Sequence, residues 1–185
     1  MRLMVSADFQ PFFSASVAAS AALIGLLFVS VSVAPERVFG EQSDVVRQAQ
    51  ALSAFTALAN VFFISLMALI PDLRFGLVVT IVSVPAIIQT LALLGHAGQW
   101  RATRIVLRGA FLFLASAAIY AYEFVLGIQL GNSSDKGTLV SLVFVLIGAY
   151  AVGLGRAWEL LGAPRSGLTS YLTALVGALR RKPKP

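Results

Sequence analysis

The fold class this sequence predicts is an all-α integral membrane protein, with five transmembrane helices and a C-terminal interfacial amphipathic helix. Three observations predict it. First, uncharged apolar runs recur, the earliest being PFFSASVAASAALIGLLFVSVSVA at residues 11–34. A run of about 20 such residues at 1.5 Å rise matches roughly 30 Å of hydrocarbon. Second, the chain is 58% apolar and 12% charged, against about 45–50% and roughly 25% in globular proteins. That leaves too little polar surface to coat a water-soluble domain. Third, Arg37, Arg47, Arg101, Arg104, Arg108, Arg156, Arg165, Arg180, Arg181, Lys182 and Lys184 fall on one side of a five-span layout. The other side holds Arg2, Arg74 and Lys136. Basic loops face the cytoplasm, so the N-terminus is expected outside and the C-terminus inside. This supports an odd number of spans, because four would mix the two groups.

The first span covers about 12–33 and stops before Pro35. Its apolar stretch is longer than the roughly 7–15 residues of a signal-peptide core, and Asp8 precedes it, so it reads as a retained helix. The second covers about 50–70, with a possible earlier start near Asp44 and Ser43 as N-cap. Pro71-Asp72-Leu73-Arg74 breaks the chain, and a tight hairpin leads into the third span at 75–94. The fourth runs over 109–130 and ends in the turn residues Gly131-Asn132-Ser133-Ser134-Asp135. The fifth runs over 138–161. Trp100 and Trp158 fall at the inner boundary, where indole rings favour the interface. Residues 1–163 thus form the bundle, and 164–185 form a cytoplasmic helix and basic tail.

In that last segment Leu168, Tyr171, Leu172, Leu175, Val176 and Leu179 repeat with helical period, and Thr169, Ser170, Thr173 and Gly177 fall mainly opposite. Such a helix lies along the interface. Arg180, Arg181, Lys182 and Lys184 then meet anionic headgroups or a membrane partner protein.

Glu123 is the most informative single residue. It sits in FLASAAIYAYEFVLGIQL, roughly 10 Å from the outer end of its span. A charge at the bilayer centre costs about 2.5–3.5 kcal/mol on insertion scales, less toward the edge. Tyr120 and Ser116 share its helix face. Three roles fit: a carboxylate ring on an oligomer axis that attracts cations, a protonated or proton-transferring carboxyl, or an acid that merely snorkels outward or is hydrogen-bonded structurally. Asn60 lies mid-span in the second helix with Thr56 and Ser53 on one stripe, the pattern of interhelical hydrogen bonding. Pro85 frees the carbonyl of Ile81 in span three, and Gln89 follows one turn on; a bend or a cavity lining both fit. Small residues line span one at Ala18, Ala22 and Gly25 and span five at Gly148, Ala151 and Gly155, which suits close helix approach. Arg156 and Glu159, flanking Trp158, read as interface anchors.

Several chemistries are not supported. Cysteine is absent and His96 is the single histidine, with no acid near it in sequence, so no metal site or cofactor is expected. No paired carboxylates, nucleophile–base pair or phosphate-binding glycine loop occurs, so no enzyme is expected. The net charge of +6 reports topology and not nucleic-acid binding.

Phe12-Phe13 followed by AASAALIGLLFVSVSV, with RQAQAL opening the next span, resembles the first helical pair of a broad set of small, uncharacterised bacterial multi-span inner-membrane proteins. The close of the last span, GLGRAWELLG, is similar to theirs. The resemblance implies a bacterial inner-membrane location and supplies no activity or functional residues. The intramembrane acid itself points to a small homo-oligomer conducting an ion or proton. The alternative is a non-transporting scaffold or accessory subunit that works through its C-terminal helix.

Overall fold

The computed structural model describes residues 7–33, 35, 45–95, 103–133 and 135–160. The C-terminal segment 164–185, with its basic tail, and His96, Trp100 and Arg37 lie outside the described residues. Among the described residues five helices follow one short 3-10 turn at Ala7–Phe9: α1 (Gln10–Val33), α2 (Val45–Ala68), α3 (Phe75–Gly95), α4 (Thr103–Asn132) and α5 (Lys136–Leu160). No strand occurs among the described residues. Each helix contains a stretch long and apolar enough to cross a membrane.

The helix ends follow local chemistry. Past α2, the amides of Leu69 and Ile70 donate to Leu66 and Met67 carbonyls, tightening the exit into a 3-10 turn. Pro71 then blocks continuation. Asp72 takes a φ of 57°, a left-handed conformation that short polar residues tolerate, and the chain reverses into α3. Spans two and three are therefore separate helices joined by the expected hairpin. At the other tight turn, Asp135 caps α5: its carboxylate accepts from the Thr138 amide at 3.3 Å. Helix α4 starts at Thr103, earlier than the apolar pattern indicates, because Arg104 and Arg108 are good helix formers outside the apolar window.

Helix α2 is the centre of the bundle. It packs on α1, α3 and α5, while α4 closes the far side against α3 and α5. The largest core cluster unites Phe13, Val61, Ile64, Phe75, Val79, Leu130, Leu142 and Leu146. Phe13 and Phe75 meet edge to face at 5.8 Å, an arrangement aromatic rings favour. A smaller cluster, Leu27, Ala54 and Leu58, fills the opposite end. Outward faces remain apolar, with Leu26, Phe28, Ile81, Ile88 and Phe144 all exposed.

Helices α3 and α4 approach most closely at glycines. A Cβ on Gly76 would stand 2.3 Å from the Gly131 nitrogen, and one on Gly127 would stand 2.7 Å from the Thr80 nitrogen. Neither position has room for a side chain. Of the stripes singled out from the sequence, Gly148 meets Ile119 of α4, 3.6 Å from a Cβ placed there, and the other members pack differently. Ala18, Ala22, Gly25, Ala151 and Gly155 are exposed, and nothing lies within 4 Å of a Cβ placed at Gly25 or Gly155. On α5 the contact with α2 is made instead by Ala149, buried one turn before, and Gly153, where a Cβ would meet Leu58 at 3.0 Å.

Candidate functional site

Buried positions on α4 recur as Phe113, Ser116, Tyr120, Glu123, Leu126, Gly127 and Leu130. This is the i, i+3, i+4, i+7 stripe of a helix turned toward a core. The polar members occupy its middle. Glu123 is 0% exposed and Tyr120 is 2% exposed, so the acid faces the interior of its own bundle. A carboxylate ring on an oligomer axis needs an outward-facing acid, and residue 123 is not on an outward face.

Across the interior stands Asn60 of α2, 4% exposed. Its Nδ2 donates to both carboxylate oxygens of Glu123, at 3.1 and 2.9 Å. The two residues meet because their depths match. Asn60 precedes the α2 end at Ala68 by about 12 Å and Glu123 precedes the α4 end at Asn132 by about 13.5 Å, counting 1.5 Å per residue; both ends lie on one side of the bundle. The amide turns its NH₂ toward the Glu123 carboxyl group, whose oxygens accept. That leaves Asn60 Oδ1 buried, and it meets no donor among the described residues. A buried acceptor without a partner costs about 1–3 kcal/mol.

Nearer the opposite end, Arg156 of α5 is 1% exposed. Its guanidinium lies 4.0 Å from the centroid of the Phe113 ring. A desolvated cation–π contact is worth about 2 kcal/mol. Arg156 is therefore an interior group and not the interface anchor its sequence neighbours suggest. It continues the buried α5 series Leu142, Leu146, Ala149 and Gly153, and the helical period turns it inward. Trp158, next but one, is 66% exposed and faces out. On α4, Tyr120 lies between Phe113 and Glu123 on the same buried stripe.

A second polar node contains no charge. Ser65 of α2 donates to the Ser16 hydroxyl of α1 at 2.9 Å, and that hydroxyl lies 3.1 Å from the Tyr150 hydroxyl of α5. Tyr150 also donates to the Ser16 carbonyl, as does Ser20. Helices α1, α2 and α5 are thereby joined by side-chain hydrogen bonds in an apolar surround, where hydroxyls need partners.

Of the candidates read from the sequence, Glu123, Tyr120, Ser116 and Asn60 share one buried region. Gln89 does not join them. It is partly buried, and its Nε2 donates to the Leu52 carbonyl on α2 at 3.2 Å, bracing α3 against the start of that helix. Pro85 is exposed on the outer side of α3, which suits a bend rather than a cavity wall. Thr56 bonds its own helix at Leu52, so only part of its stripe crosses between helices. Arg180, Arg181, Lys182 and Lys184 lie outside the described residues. Arg156, Phe113, Ser16, Ser65 and Tyr150 were not singled out as a site by sequence reasoning. The available signal was helical period: each falls on the stripe of its helix that carries the core residues. Among the described residues no cluster of His, Cys, Asp or Glu is arranged to hold a metal.

Comparison of the chain with protein-family models, curated proteins and solved structures finds no match in any of the three.

Proposed function

We propose that this chain is a small multi-span membrane protein that conducts an ion or a proton, with Glu123 as the group the permeant species meets at depth. One observation carries the reading: a carboxylate wholly enclosed by the bundle is held by a single side-chain amide. Membrane bundles keep ionisable groups in their interior chiefly where these act. The route runs through the bundle of one chain, past Tyr120, and not between subunits. The distribution of basic residues supports an N-terminus outside and a C-terminus in the cytoplasm, as in a bacterial inner membrane. The test is reconstitution into liposomes under cation and pH gradients. Flux that falls at least tenfold in Glu123→Gln is the expected result; liposomes that stay silent with every cation and with a pH gradient overturn the reading.

A second reading, an accessory subunit or scaffold, draws on α1. That helix is the least covered of the five and presents Ala18, Ala22 and Gly25 outward, a surface on which another helix packs closely. Affinity capture from native membrane then recovers a stoichiometric partner or a second copy, and Ala22→Phe abolishes the recovery.

A further inference from the structure

The Asn60–Glu123 pair is incomplete as it stands. The amide gives its N–H to the carboxylate, while its own Oδ1, enclosed in the bundle, receives no donor. Whatever the site binds has to supply positive charge to Glu123 and a donor or ligand bond to Oδ1. A metal cation fits poorly. The pair offers three oxygens on two side chains, whereas Mg²⁺ and Ca²⁺ take about 6–8 oxygen ligands, and among the described residues no further acid joins them. One proton meets both needs.

We infer that the Asn60–Glu123 pair is a proton-binding site, in which the protonated carboxyl of Glu123 donates its O–H to Asn60 Oδ1 while accepting the Asn60 N–H. The result is a closed acid–amide ring with two hydrogen bonds and no orphan atom. A rotation of the amide about χ2 and of the carboxyl about χ3 forms it, and both are soft terminal torsions. The step balances simply: hydronium transfers H⁺ to one Glu123 oxygen and leaves water, and release returns H⁺ to water. The other polar groups of the bundle interior do not replace the proton. Helix α4 brings Tyr120, neutral and acceptor or donor by its hydroxyl. Helix α5 brings Arg156, which stacks on Phe113, and Tyr150, which is turned to Ser16. Helix α3 contributes the hydroxyls of Ser83 and Thr90, each bonded to its own helix, and α2 adds no charged group beside Asn60.

The inference rests on the conduction reading for its use, and its test is independent of flux. Infrared spectra of the full chain in lipid vesicles, with isotope-labelled glutamate, are recorded at a pH well above the ordinary carboxylate range. A protonated-carboxyl C=O band that disappears in Glu123→Gln, and moves to higher frequency in Asn60→Leu, is the expected result. A Glu123 signal that is carboxylate alone and is unchanged by Asn60→Leu overturns the proton site. Carboxylate bands that shift on adding Na⁺, K⁺ or Ca²⁺ overturn it in favour of a metal site. If Glu123→Gln fails to fold, Asn60→Leu with the labelled chain decides by the same band. Flux without the protonated band defeats this inference and leaves conduction standing, and the band without flux does the reverse.

Discussion

At the scale of single residues, the interior of this bundle holds two kinds of polar contact with different consequences. Asn60 and Glu123 depend on each other. Interhelical hydrogen bonds within membranes contribute about 0.6–2 kcal/mol, so Asn60→Ala is expected to destabilise the protein by about that much. The double change Asn60→Leu with Glu123→Leu removes both polar groups together and is expected to cost less than the sum of the single changes. Unfolding titrations in detergent micelles measure the coupling, and strict additivity would show that the pair does not interact. Arg156 tests a different chemistry. Arg156→Lys keeps the charge and loses the planar guanidinium over Phe113. It is expected to destabilise about as much as Phe113→Leu, each by roughly 1–2 kcal/mol. The acid itself was legible in the sequence because charge in an apolar run stands out locally. Its partner was not, since Asn60 is 63 positions away and nothing in either segment encodes their shared depth except distance from the helix ends.

At the scale of elements, the decisive contact is the close crossing of α3 and α4. Gly76→Ala inserts a methyl against the Gly131 backbone, which cannot give way as a flexible side chain would. Overpacking of this kind costs about 1–3 kcal/mol, more than the helix propensity gained on losing a glycine, about 1 kcal/mol. Gly25→Ala and Gly155→Ala meet open space and are expected to be neutral or to stabilise by up to about 1 kcal/mol. Thermal unfolding of the three variants in one detergent checks the contrast; a Gly76→Ala protein as stable as Gly25→Ala removes the crossing from the account. The small-residue stripes on α1 and α5 were visible in the sequence, yet the tightest glycine contacts, at Gly76, Gly127 and Gly153, lie elsewhere. Small residues permit close approach on any face, and composition does not say which face has a neighbour.

At the scale of the whole molecule, the turn Ala7–Phe9, the α2–α3 hairpin and the α4–α5 turn lie at one end, where Lys136 reaches Asp8 at 3.5 Å. Both side chains are largely exposed, so this pair contributes little to stability, about 0–1 kcal/mol. Its value is topological. The chain has no cysteine, which makes site-directed labelling clean. Single cysteines at Asp8, Asp72 and Ser133 are expected to react with an impermeant reagent from one side of the membrane, and one at Arg47 from the other. Labelling of Asp8 and Asp72 from opposite sides would undo both the helix count and the depth match between Asn60 and Glu123.

The sequence by itself determined how many helices of span length occur among the described residues and, to within a few residues, where they lie. The length of an apolar run is a local property, and Pro71 and the Gly131–Asp135 turn punctuate it. Only the tertiary structure decided which face of each helix turns inward. In a water-soluble bundle polar residues mark the outside, but here the outward faces are as apolar as the core, so that signal is missing. Interior and exterior are then distinguished by shape and by the few polar groups that find partners. Those are the contacts that turned Arg156 inward, set Glu123 against Asn60, and left Ala18, Ala22 and Gly25 on the surface.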